Sequence, residues 1–258
     1  MRIKEIFIIS KGTKVILAIT FSVSLIAIIF AFFYYRSVNR AEDPRVTKAR
    51  EYLIDYEKAA GTLNLIEVFP YLDSADVIYR SLPDYRYSFE TGVIYNNKSS
   101  MLLLMALYDT EVIEHEKKSL LDLAMKYCDS SINVYQKWIS EWDTLSPATI
   151  ALKVKPYMNA ADPAFEGLNF ERIFSKRVTN IITAQIETPR RLSVSLSNKG
   201  TIFRHLIMPD SALAYYTKAL SIWNDNRTAR SNMSVLMGGE PVKPTVIESL
   251  FPPDKNSR

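Results

Sequence analysis

An all-α fold is what this sequence predicts, built of antiparallel helical pairs behind one membrane-spanning helix. Three observations predict it. The 258 residues include only 7 glycines, and no run of alternating β-branched residues lies between turn signals, which excludes a sandwich or a barrel. Apolar residues recur at three- and four-residue steps; Leu120, Leu121, Ala124, Cys128, Ser131 and Tyr135 form one such stripe. Prolines and polar clusters cut the chain after residue 44 into helix-sized pieces with short connections, which favours antiparallel neighbours. The 15 tyrosines and 12 phenylalanines suit the filling of space between long adjacent helices.

The first element is a basic tail, residues 1–14, where Arg2, Lys4, Lys11 and Lys14 face only Glu5. The tail holds most of the chain's net charge of +4, so the remainder is nearly neutral and lacks the electrostatic footprint of a nucleic-acid binder. Next comes Val15–Tyr35, a run without a charge, long enough as a helix (roughly 32 Å) to cross a bilayer core. Its length and its Phe-Phe-Tyr-Tyr-Arg end differ from a cleaved signal peptide, and we read it as a signal anchor with Tyr34 and Tyr35 at the far interface. Basic residues on the two sides nearly balance. The compact basic tail favours the cytoplasmic side for the N-terminus and the extracytoplasmic side of an inner or cell membrane for the large domain. Ala18, Ser22, Ala27 and Ala31 give small-xxx-small spacings that suit helix association and a homo-oligomer.

Residues 36–43 read as a polar linker and 44–238 as the helical domain. Boundaries at prolines and polar clusters predict helices over 44–67, 70–81, 84–109, 113–143, 147–156, 164–187, 189–206, 209–224 and 227–238. Residues 239–258 hold Gly239 and four prolines and read as an extended tail, with at most a turn around Val246–Phe251.

The best-patterned stretch is "LSNKGTIFRHLIMPDSALAYYTKAL", residues 196–220. Gly200, Phe203, Ala212, Tyr216 and Ala219 agree in type and spacing with a tetratricopeptide repeat, which this segment resembles. Leu196 replaces the usual Trp, Lys199 stands where Leu is expected and Asn224 where the closing Pro is expected, so the copy is divergent. Ser234 and Met237 repeat the Gly200 and Phe203 positions one period later, as a truncated terminal cap. Upstream, Gly92 with Tyr95, the group Ala124, Cys128 and Ser131, and Gly167 with Phe170 echo parts of the pattern. The specific match covers about residues 193–238. For 44–187 the resemblance implies similar pairs with longer helices, and for the whole a TPR-like α-solenoid.

The resemblance further implies that partner protein segments bind in a concave groove lined by the first helix of each pair. The matching groove positions are Ser197, Thr201, Arg204, His205, Ser231 and Val235. The Lys- and Asn-rich clamp that some members use for C-terminal carboxylates is absent, because Ser197 and Thr201 replace its key types.

No catalytic constellation stands out. The 2 histidines, His115 and His205, are far apart in the chain, and there is no phosphate loop, G-x-S-x-G or Ser-x-x-Lys. Glu111, Glu114, His115 and Glu116 crowd one stretch; a solvated helix start explains it better than a metal site, since acids favour helix N-termini. Cys128, the single cysteine, sits on an apolar stripe and reads as a small core residue. Trp138 and Trp142 share a helix face, for packing or for partner docking. Arg190 and Arg191 read as a solvated first turn, with an anionic ligand or lipid headgroup as the alternative. The expectation is a membrane-anchored protein-interaction scaffold or assembly factor of a membrane or envelope complex, without catalytic residues, metal or cofactor. The alternative is a helical receptor domain for a small or anionic ligand.

Overall fold

The computed structural model describes residues 17, 19–26, 28, 41–62, 65–109 and 112–243, and among them the regular structure is entirely helical. Residues 19–26 are helical, and Ile19, Phe21, Val23, Leu25 and Ile26 are all exposed. Apart from Leu17 and Ile28, which are also helical and exposed, the rest of the predicted span lies outside the described residues, as do residues 36–40 and the end of the tail. Among the described residues no helix is long and apolar enough to cross a membrane.

The folded body begins earlier than proline punctuation suggested. Ala41 and Asp43 are buried, because Asp43 caps a 3-10 turn at Pro44–Val46 by accepting from the Arg45 N–H at 3.0 Å. The end of the predicted linker is therefore part of the core. Helix α1 (Thr47–Gly61) follows, then α2 (Leu65–Ser81), α3 (Phe89–Tyr108) and α4 (Glu114–Trp142). The start of α4 carries Glu114 and Glu116 in its first turn, where carboxylates complement the helix dipole. Ser146 caps α5 (Pro147–Val154), accepting from Thr149 N–H at 3.2 Å. Two further 3-10 turns, Lys155–Tyr157 and Pro163–Phe165, lead to α6 (Phe170–His205). Asn169 caps α6 through Arg172 N–H at 3.0 Å. The last helices are α7 (Pro209–Ile222) and α8 (Arg227–Leu236), the latter capped by buried Asn226.

Two proline boundaries are overridden. Pro70 lies inside α2 and Pro189 inside α6, so residues 164–187 and 189–206 do not form separate helices. A proline in a helix interior costs about 3 kcal/mol. In α6 both flanks are anchored: Ile173, Ile181 and Ala184 pack with Trp138, Ile150 and Val154, while Leu192, Leu196 and Ile202 pack with Leu121, Tyr135 and Tyr216. Burial of that many side chains, at about 1.5–3 kcal/mol each, outweighs the lost hydrogen bond.

The helices pair in sequence: α1 with α2, α3 with α4, α6 with α7, and α8 against α7. The second helix of each pair also contacts the first helix of the next: α2 touches α3, and α4 touches α6. Two of the hairpins close on the same device. A Cβ on Gly92 would lie 2.4 Å from Cε1 of Tyr135, and one on Gly200 would lie 2.7 Å from Cδ1 of Tyr216. Glycine lets each tyrosine ring lie against the opposing backbone, and both rings are buried. The counterpart of Ala212, Tyr216 and Ala219 in the earlier hairpin is thus Ser131, Tyr135 and Trp138, not Ala124, Cys128 and Ser131.

A seam of small polar residues binds α3, α4 and α6. Ser131 Oγ donates to the Gly92 carbonyl at 3.0 Å, Ser195 Oγ to Asn96 Oδ1 at 2.8 Å, and Asn198 Nδ2 to Asn96 Oδ1 and Ser100 Oγ. Cys128 completes it, its thiol donating to the Ser195 carbonyl at 3.0 Å. Burial pushes that thiol up to about 12, so it stays neutral and unreactive. At pH 8 a maleimide should leave native Cys128 unlabelled for hours and label it rapidly in urea. Stoichiometric labelling of the folded chain within minutes would show that the seam is open.

Candidate functional site

Helices α1, α3 and α6 are the first helices of successive pairs, and together they wall a recess of about 240 Å³. From α1 come Arg50, Leu53, Ile54, Tyr56 and Glu57; from α3, Phe89, Glu90, Val93 and Asn97; from α6, Arg191. Ile54 is 53 % exposed, an uncovered apolar side chain at its edge. Burial, with Glu57 adding to it, raises the Tyr56 phenol to about 12, so it remains a neutral hydrogen-bonding group in the wall.

Two polar atoms of this wall lack partners. Glu90 gives one oxygen to Arg177 Nη1 at 2.7 Å, while its Oε2 is buried and unbonded. Arg191 Nε is likewise buried without a hydrogen-bond partner. A buried, unmade hydrogen bond costs about 1–3 kcal/mol. The recess therefore combines apolar surface with two charged residues, Glu90 and Arg191, that each keep a buried polar atom without a partner.

The predicted groove residues divide. Ser197 and Thr201 are buried, and this corrects the expectation that they face a partner. Thr201 Oγ1 accepts from Tyr216 OH at 3.2 Å and from Asn232 Nδ2 at 3.1 Å, so α7 and α8 cover it. Arg204 and His205 are half-buried and touch each other, Nη2 to Nε2, at 3.3 Å. Burial, then Arg204 and Lys117, lower the His205 pKa. Ser231 Oγ accepts from Val242 N–H at 3.2 Å, committed to the chain's own tail, while Val235 is exposed. None of these six lines the recess.

The signal that finds the recess was present in the sequence. The groove offsets that pick Ser197, Thr201, Arg204 and His205 relative to Gly200 pick Phe89, Val93, Asn96 and Asn97 relative to Gly92. Phe89, Val93 and Asn97 all line it. The α1 residues had no such marker, since α1 lacks the glycine–tyrosine device. Arg191 lines the recess rather than standing in a solvated first turn, because α6 is continuous; Arg190 is exposed and pairs with Glu187 at 3.1 Å.

Trp138 is core and stacks on Trp142 at 6.4 Å between ring centres. Glu114, His115 and Glu116 are exposed, and Glu111 lies outside the described residues. Among the described residues no group of three or more His, Cys, Asp or Glu is placed to hold a metal ion. Comparison with family models, with curated proteins and with solved structures gives no match.

Proposed function

We propose that this chain is a membrane-anchored helical-repeat protein that binds a segment of another protein in the recess between α1, α3 and α6. The observation that carries the reading is the recess itself. It is walled by the first helix of three successive pairs and holds apolar surface beside the unbonded Glu90 Oε2 and Arg191 Nε. The shared glycine–tyrosine device of two hairpins supports a TPR-like solenoid, whose concave side is where such a segment would lie. The uncharged run Val15–Tyr35 supports an anchor, with the array held at the membrane surface. The occupant this wall suits is a short apolar stretch carrying a carboxylate that Arg191 receives and an N–H that Glu90 receives. The mechanism is presentation of a surface, with no covalent step and no cofactor.

The test is site-specific photo-crosslinking in intact cells of the source organism. A photoreactive residue at Asn97 should yield one discrete partner segment, identified by mass spectrometry. The same residue at exposed Asp122 should not. Arg191→Glu should reduce the Asn97 crosslink at least tenfold without changing the chain's level in the membrane. Equal crosslinking from both positions, or indifference to Arg191→Glu, would overturn the assignment.

A further inference from the structure

A second cavity, of about 200 Å³, lies on the other side of the Arg177–Glu90 pair, between the 82–88 turn, the end of α4, α5 and the first half of α6. Tyr87, Trp138 and Trp142 supply aromatic wall, and Asp84, Ser88 and Arg177 line it with them. Ser88 and Arg177 are each 4 % exposed, and the Asp84 side chain is 6 % exposed. All three carry a buried atom without a partner: Asp84 Oδ1, Ser88 Oγ and Arg177 Nε.

The remaining atoms of these groups are committed, and they fix what the free ones can do. Asp84 Oδ2 holds Arg45 at 3.1 Å. Arg177 gives Nη1 to Glu90 and Nη2 to the Asp84 carbonyl at 3.4 Å. Left over are an N–H that only donates, a carboxylate oxygen that only accepts, and a hydroxyl that does either. Lysines stand at the rim: Lys153 Nζ is 4.1 Å from the Trp142 ring centre and Lys137 Nζ is 4.1 Å from that of Tyr87.

We infer that this cavity binds a small zwitterion of the free amino-acid kind with an apolar side chain. The carboxylate of the ligand accepts from Arg177 Nε and Ser88 Oγ, with Lys137 at the rim; Lys153 is paired with Glu141, which also lines the cavity, at 3.7 Å. The ammonium donates to Asp84 Oδ1. The side chain lies against the tryptophan pair, where apolar or ring contact adds affinity. A simple anion leaves Asp84 Oδ1 unmet and a simple cation leaves Arg177 unmet, so a ligand carrying both charges satisfies the set. The inference is independent of the recess, which shares α6 with this cavity but no lining residue.

The test uses the full-length chain in detergent, titrated with free phenylalanine and leucine while tryptophan fluorescence is followed. One of the two should give a saturable change. Its carboxamide and its deaminated acid should each bind at least tenfold more weakly. Ser88→Ala and Trp142→Ala should each weaken it at least tenfold, with the helical circular dichroism spectrum retained; Asp122→Ala should leave it unchanged. No saturable change with either amino acid overturns the inference, as does equal binding of the analogues or full affinity in the Ser88→Ala and Trp142→Ala variants.

Discussion

Arg177→Met is expected to lower stability by about 3–5 kcal/mol, the effect of leaving a buried partner charge uncompensated. Arg177 is 4 % exposed and meets Glu90, itself buried, at 2.7 Å. Its guanidinium also lies 3.9 Å from the ring centre of Tyr85, whose hydroxyl donates to Asp43 at 3.2 Å. One side chain from α6 thus ties down the start of the fold, the 82–88 turn and α3. Thermal melts followed by circular dichroism on the full-length chain should show a drop in midpoint on the order of 10 °C. The double variant Arg177→Met with Glu90→Leu should recover most of the loss, because two apolar groups replace a pair whose desolvation was costly. A single variant within about 1 kcal/mol of the parent would mean that water reaches the pair.

The same variant carries a pH signature through Asp84. Burial raises the Asp84 pKa, against lowering by Arg45 and then Arg177. A carboxyl whose folded pKa exceeds its unfolded value stabilises the fold fully when protonated, below the unfolded pKa. That contribution disappears as pH rises through the folded value. Without Arg177 the folded value climbs further, so the penalty is largest at neutral pH and shrinks as the solution is acidified toward the Asp84 transition. A destabilisation that grows on acidification would place the loss elsewhere.

What the sequence disclosed follows from which forces are local. Helical periodicity and caps are local, so the existence of α1, α3, α4, α7 and α8 was legible within a few residues. Pro70 and Pro189 misled because a proline's cost is local while the packing that outweighs it comes from residues far along the chain, Tyr135 and Tyr216 among them. Asp43 reads as linker in the sequence because its capping role depends on the turn that follows it. The recess was half legible. Gly92 marks Phe89, Val93 and Asn97, but the α1 wall and Arg191 enter only through tertiary placement. Ser197 and Thr201 matched groove positions in register and failed on burial, since register says which face a residue shares and not what covers that face. The cavity beside Trp138 and Trp142 had a trace in their four-residue spacing. Its polar floor, Asp84, Ser88 and Arg177, joins residues from two distant parts of the chain, which no local pattern records.

Gly92→Ala should destabilise the protein by about 1–3 kcal/mol, against the ordinary sign of that change. In an exposed helix interior, alanine in place of glycine stabilises by up to about 1 kcal/mol. Here the added methyl would sit 2.4, 2.7 and 2.9 Å from three ring atoms of Tyr135, a side chain only 1 % exposed and so without room to retreat. Overpacking of that kind costs about 1–3 kcal/mol. Gly200→Ala meets the Tyr216 ring at 2.7 Å and also the Ala212 carbonyl oxygen at 3.2 Å, and should cost a similar amount. Gly61→Ala is the control: nothing lies within 4 Å of its added methyl, so it should be neutral or slightly stabilising. Urea unfolding of the three variants ranks them. The coupling is then isolated by Tyr135→Leu, which removes the ring: Gly92→Ala should cost far less in that background than alone. Tyr135→Phe should give no such relief, because the clashing atoms belong to the ring and not to the hydroxyl. If Gly92→Ala behaves like Gly61→Ala, the close approach of α3 to α4 is absent, and with it the equivalence of the two hairpins that places Phe89, Val93 and Asn97 in one groove.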